Sequence, residues 1–456
     1  MRLVLTSLSA VAISAAFTLA AGPAAAQAPA PYAATLAGHA VMPALSLIPA
    51  PDDAPADLQV SGKFTTGTRI DEPGTLEGLS KLRPTGISIP FKGQPVQGHS
   101  GIKHMPDGTF WILTDNGFGA KATSPDTMLH LSHYRVDFKS GEFDRLATVF
   151  LHDPDGKVPF RVVHEGTDKR YLTGADFDPE SFQFADGALW IGEEFGPYLI
   201  KADMQGKVLG VFDTLVDGKV VRSPDHPQVV APGKPGDALK VQVTRSKGFE
   251  GMAASKDGSK LYPLLEGPLW QADSGRLEEV DGKPYLRVLE FDVKKQEWTG
   301  RHWKYPLESA GHAIGDFNMI DDTTGLIIER DNGEGTADKA CAAGQKATDC
   351  FPDLPKFKRV YKVELNDDNA GGVVRKIGYI DLMNIADPDK LARKPLNDKG
   401  ALEFPFFTIE NVDVVDDTHI VVGNDNNLPF SSSREPNKAD DNELVLLDVG
   451  DFLKAR

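Results

Sequence analysis

The chain has 456 residues, with 66 acidic against 49 basic side chains and a formal net charge of −17. That balance argues against nucleic acid or an anionic membrane surface as partner, since both need a basic footprint. It suits a cation-binding protein and is equally ordinary for a soluble exported one.

The opening residues read as an export signal. Met1-Arg2 is a short basic start, Leu3 to Ala21 is uncharged and apolar, and Ala24-Ala25-Ala26 offers small residues for cleavage. Residues 1–26 are therefore expected to be a signal peptide, with Gln27 at the mature N-terminus. A retained membrane anchor is the weaker reading, because Ala and Ser dilute the apolar run. No Cys follows it, so a lipid anchor is not indicated. Without Arg2 the mature charge is about −18. The expectation is a periplasmic or secreted monomer with no membrane span once the signal is removed.

Residues 27–56, rich in Ala, Pro and Leu, read as a lead-in or tether, and 57–456 as one domain. Past the tether, Gly and Pro punctuation is dense and short alternating apolar runs dominate, which argues for all-β structure. Five segments repeat one plan: 99–117, 179–196, 249–267, 316–333 and 409–427. Each opens on a polar or acidic residue and runs through a short apolar stretch to an Asp-rich turn. A second apolar stretch then returns to an acid. The turns are Asp107-Gly108, Asp186-Gly187, Asp257-Gly258, Asp321-Asp322 and Asp416-Asp417. Asp-Gly supplies the positive φ angles of a tight hairpin. A hairpin with carboxyls at both far ends points them the same way, and radial repetition gathers them into one ring.

A looser strand–turn–strand unit follows most of these hairpins, at 133–143, 198–212, 286–298 and 359–377. Hairpin plus hairpin makes the four-stranded blade of a propeller. The last strand, 442–452, matches the start of such a unit, and the early segment 57–70 is its expected partner. The expected fold is thus an all-β propeller of six four-stranded blades, closed by N- and C-terminal strands, with inserted loops near 214–245 and 334–356. A β-sandwich would give no reason for acids to recur at one hairpin end.

Gathered carboxylates repel one another unless a cation or proton sits among them. Oxygen-only donors suit a hard ion such as Ca2+, and neighbouring Asn adds a neutral carbonyl. The candidate ligands are Asp115, Asn116, Glu180, Glu194, Glu250, Glu266, Asp316, Asn318, Asp331, Glu410, Asn411 and Asp425. Any one of these acids alone reads better as a turn or capping residue; the nearly constant spacing of the set is the signal. Glu180 and Glu250 are also candidate bases. His99 is a candidate general base or phosphate contact, although a lone His is more often a structural hydrogen-bonder. Arg330 is a candidate for charge stabilisation, with a buried ion pair as the plainer alternative. Arg434 reads as a loop arginine, with a phosphate contact as the alternative. Ser100 stands where other repeats carry Glu and reads as a repeat variant. No G-x-S-x-G, HExxH or GxxxxGK[ST] motif is present. Cys341 and Cys350 are expected to pair and close their loop, since two Cys without nearby His cannot complete a zinc site.

The strings Glu193-Glu194-Phe195-Gly196-Pro197 and Gly248-Phe249-Glu250-Gly251-Met252-Ala253 resemble the phytase-like family described as esterase-like activity of phytase. The resemblance spans roughly residues 60–450 and implies a propeller, export and hydrolysis of phosphate or carboxylic esters. The Asp-Asp-Pro-Ala-x-Trp signature and lysine-rich phosphate surface of calcium-using β-propeller phytases are not present. In layout the repeats are also similar to calcium-dependent lactonase and gluconolactonase propellers. The leading expectation is a Ca2+-dependent hydrolase of a small-molecule ester, with phosphoesters favoured. The alternatives are a lactonase or carboxylesterase, and a binding propeller with structural calcium.

Overall fold

The computed structural model describes residues 28–234 and 238–456. The expected signal peptide, 1–26, lies outside the described residues. Among those described, helix is confined to two short 3-10 turns and Gly450–Lys454. None is long and apolar enough to cross a membrane.

The strands form five four-stranded units. Their innermost strands are His99–His104, Pro179–Ala185, Phe249–Ala254, Ala313–Met319 and Ile409–Val414. Each packs against the next, and the last returns to the first. The result is the closed ring of a propeller, with blades 1 to 5 numbered here in chain order. The core lies between successive blades. Trp190 and Phe249 pack with Phe291 between blades 2 and 3, and Trp303 with Phe317 and Tyr361 between blades 3 and 4.

Two expectations need correction. The ring has five blades and not six, and the segment 57–70 does not close it. That segment gives the 3-10 turn Ala56–Gln59 and the short strand Val60–Ser61, which pairs with Phe91–Lys92 away from the blades. Ring closure comes from the stretch read as a tether. Ala30–Met42 pairs antiparallel with Asn442–Asp448 as the outer strand of blade 5. Its other edge runs parallel to Arg375–Ala386 of blade 4, so blades 4 and 5 share one continuous sheet. Ala34, Leu36, Ala40 and Met42 are buried, but small residues blur their alternation. The partner strand lies at the far end of the chain, so no local pattern announces the pairing.

The hairpin turns fall where expected, but at Asp107-Gly108 and Asp257-Gly258 only the Gly takes positive φ. Asp186 and Gly187 both take positive φ, 50° and 71°, in a two-residue turn. Asp321 and Asp416 instead cap their turns, each Oδ1 accepting amides two and three residues on. The inserted loops lie where the spacing placed them, and Cys341–Cys350 form a disulfide within the second.

All five inner strands carry a β-bulge at the same level, near the end where the chain enters the ring. A bulge adds one residue to one strand and re-aims its side chain. In blade 4 this level holds Gly315, where a Cβ would fall 2.1 Å from the Ile409 carbonyl oxygen of blade 5. Gly315→Ala is expected to destabilise by about 1–3 kcal/mol through overpacking against backbone. Urea unfolding is the measurement, and an unchanged midpoint would show that the blades are not this tightly apposed.

Candidate active site

The bulges build the site. The extra residue is Glu180 in blade 2, Glu250 in blade 3 and Glu410 in blade 5, each skipped by the strand register. Ordinary alternation would send only every second side chain to the axis; the bulge adds one more. Ser100 holds the matching level in blade 1, and its hydroxyl donates to Glu410 Oε2 at 3.2 Å. Its reading as a repeat variant agrees with this position.

A second tier comes from the closing acids. The amides of Asp115, Glu194 and Glu266 bond back to the carbonyls of Gly98, Asp178 and Gly248, which seals the mouth end of blades 1, 2 and 3. Glu194 leans onto blade 3, where its Oε1 accepts the Gly248 amide at 2.9 Å. Gly248 permits that approach, since a Cβ there would lie 2.5 Å from Glu194 Cα.

The two tiers meet in a buried acidic patch. Carboxylate oxygens of Asp178, Glu180 and Glu194 lie within 4.8 Å of one another, as do those of Glu194, Glu250 and Glu266, with Glu194 common to both triads. Such spacing would let one hard cation share three oxygens. Two bases face the patch. Arg330, 5% exposed, donates from a terminal nitrogen to Glu410 Oε1 at 3.1 Å and lies 5.3 Å over the Phe407 ring. Lys247 forms an ion pair with Glu266. Among the described residues no base pairs with Asp178, Glu180, Glu194 or Glu250. Glu250 Oε1 is buried without a hydrogen-bond partner.

Burial first, and then neighbouring carboxylates, push Asp178, Glu180, Glu194, Glu250 and Asp425 well above the usual carboxylate range. Burial raises Asp115 to about 6. Burial also raises Glu410, against the opposing pull of Arg330. Protons shared within the patch, or a cation, would relieve the repulsion among these groups. An orphaned Glu250 oxygen and an all-oxygen donor set also fit a divalent cation.

The remaining sequence candidates divide. Asp115 and Asp425 belong with Glu410, whose charge acts on both. Asn116 and Asn411 are buried beside the mouth strands, each with one amide atom bonded to backbone and the other left free. Asp316 and Asn318 face a different level. Asp316 accepts the amides of Val412 and Phe317, and Asn318 bonds Lys103, Gln183 and the Val412 carbonyl, so both tie neighbouring inner strands together. Asp331 turns back into blade 4, accepting the amides of Gly333, Lys356 and Phe357 and pairing with Lys358 at 3.1 Å. His99 is wholly buried with neither ring nitrogen bonded; its ring lies 6.4 Å from Tyr134, and burial lowers its pKa to about 3. Arg434 is no solvated loop residue: it is buried and forms a bidentate pair with Glu443.

Asp178 and Lys247 were not singled out in the sequence. Each lies shortly before a bulge glutamate, at or next to the residue whose carbonyl accepts the closing acid's amide. Superposing the repeats on the bulge instead of on the turn would have exposed them.

The fold and site define a β-propeller with a carboxylate-lined mouth. The family described as phytase-like, esterase-like activity of phytase, matches residues 94–428, and the chain belongs to it. An uncharacterized secreted protein of Arthroderma benhamiae is 32% identical over 116 residues. That match covers 24% of this chain and 22% of the relative, so the chain spans about a fifth of that protein's length. Among solved structures, the periplasmic gluconolactonase of Pseudomonas aeruginosa is similar at 13% identity and TM-score 0.32, over 86% of this chain and 98% of that one. The hydrazine synthase of Kuenenia stuttgartiensis follows at 12% and TM-score 0.28, over 74% and 79%. Superpositions this loose carry no weight for function.

Proposed function

We propose that the protein is an exported, monomeric ester hydrolase that uses a divalent cation, Ca2+ by the chemistry of its donors, at the propeller mouth, with phosphoesters as favoured substrates. One observation carries this reading. Five buried carboxylates converge on one patch, and of these only Glu266 is ion-paired, in a chain of an esterase-like family. A bound divalent ion would supply Lewis-acid polarisation of an ester oxygen and a more acidic water.

The chain's own residues supply the rest. Asp178, Glu180 and Glu194 would hold the ion. Glu250, with a buried oxygen free of donors, is placed to take a proton from the attacking water. Arg330 is fixed by Glu410 and Phe407, yet its buried Nε–H has no acceptor, a donor ready for an anionic substrate oxygen. Export is supported by the disulfide and by the secreted relative.

Dialysis against a chelator is expected to abolish hydrolysis of p-nitrophenyl phosphate, and added Ca2+ to restore it. Full turnover without metal would sink the proposal. A second reading, a carboxylic ester or lactone as substrate, draws support from the pairing of both mouth bases with glutamates, which leaves little positive charge for a phosphate dianion. Running p-nitrophenyl acetate and a lactone beside the phosphoester separates the two.

A further inference from the structure

The two carboxylate triads are alike in size but not in company. Asp178, Glu180 and Glu194 have no base paired with them among the described residues. Glu194, Glu250 and Glu266 have Lys247, whose ammonium is ion-paired to Glu266 and lies within electrostatic reach of Glu194 and Glu250 as well. The three acids that act on this lysine are the three that would enclose an ion in the second triad.

Local backbone sets where this lysine's side chain, 39% exposed, begins. The Gly267 amide bonds to the Lys247 carbonyl, and a Cβ on Gly267 would fall 2.6 Å from Lys247 Cβ. The next residue, Gly248, abuts Glu194. Strand entry and strand exit of the blade 3 hairpin thus converge on one point, with the lysine between them. An ammonium is a compact point charge with three donors, and it can stand in for a cation among carboxylates. It cannot replace a divalent ion's charge, and Glu250 Oε1 accordingly remains without a partner.

We propose that the Lys247 ammonium takes the place of a second cation in the Glu194–Glu250–Glu266 triad. The chain then binds one divalent ion, on Asp178, Glu180 and Glu194, and loss of Lys247 opens a second site. This rests on the reading that the mouth binds a divalent ion at all. The lysine sets the charge of the site from within the chain. A substrate oxygen that would meet a second metal in a two-ion centre would meet an ammonium here.

The test is calorimetric titration of chelator-dialysed protein with Ca2+, which needs no substrate. Wild type and Lys247→Arg are expected to bind one Ca2+ per chain, and Lys247→Met two. Two ions in wild type, or one in Lys247→Met, would overturn the lysine's role and leave the hydrolase reading standing. No Ca2+ bound by wild type would overturn that reading and this inference together. The charge-neutral pair Lys247→Gln with Glu266→Gln covers the case of a misfolded Lys247→Met. Retention of one ion supports the assignment, and loss of all binding would overturn it, because Glu266 would then belong to the only site.

Discussion

Replacing Arg330 with methionine is expected to cost about 3–5 kcal/mol of stability in metal-free protein, the range for removing one partner of a buried ion pair. The guanidinium is 5% exposed and bonded to Glu410, and its charge also acts on Glu250 and Asp425. Its loss leaves those carboxyls with no arginine to offset their repulsion. Part of the cost is the unpaired Glu410, so Glu410→Gln on the Arg330→Met background should recover some of it. A double-mutant cycle by urea unfolding reads the coupling. A loss below about 1 kcal/mol would place Arg330 among ordinary surface pairs. Because Met keeps much of the side-chain volume against Phe407, the result reports charge more than packing.

Calcium is expected to stabilise the protein strongly at pH 7 and hardly at pH 4. A carboxyl whose pKa is raised in the folded state binds protons more tightly there than in the unfolded chain. Stability in metal-free protein therefore falls as pH rises from the unfolded value through the folded one. Burial lifts Asp115 from 3.8 to about 6 and Asp316 from 3.8 to about 7, which sets the window at roughly pH 4 to 7. Asp178, Glu180, Glu194, Glu250 and Asp425 move the same way. His99 and His130 oppose them up to about pH 6.5, since burial lowers their pKa values to about 3 and about 4, and burial lowers His104, His164, His226 and His302 in the same direction. The seven raised acids named here outnumber these six histidines, so the net slope is expected to be downward. Acids lowered to about 2, such as Asp257, Asp292 and Asp416, change charge below the window. A mouth-bound cation replaces the protons that the patch otherwise needs, and a ligand at a hundred times its Kd adds about 2.7 kcal/mol. Differential scanning calorimetry at both pH values, with chelator and with Ca2+, checks this. An equal calcium shift at pH 4 and pH 7 would mean that the ion sits away from the titrating patch.

Much of the propeller was legible because its signals are local. The Asp-Gly and Asp-Asp turns, the apolar runs on either side and the acid at each return are set by hairpin geometry within about twenty residues of chain. Glu180, Glu194, Glu250, Glu266 and Glu410 could be found by aligning those hairpins. Asp331 and Asp316 fit the same pattern but face elsewhere. Asp331 has loop amides of residues 333, 356 and 357 to bond, and Asp316 has the amides of Phe317 beside it and of Val412 on the neighbouring inner strand. Most of those amides lie far off in sequence, so the competition for each carboxylate does not show there.

The hairpin repeat, the acids at one end of each hairpin and the pairing of the two cysteines could all be read from the chain alone, since each depends on residues close together along it. Long-range packing was needed to establish that five blades close the ring and that Ala30–Met42 completes it. The same holds for the bulges that turn three glutamates inward and for Lys247 standing against one triad. Those features depend on strands meeting across hundreds of residues, and on one-residue shifts of register that leave composition and periodicity almost unchanged.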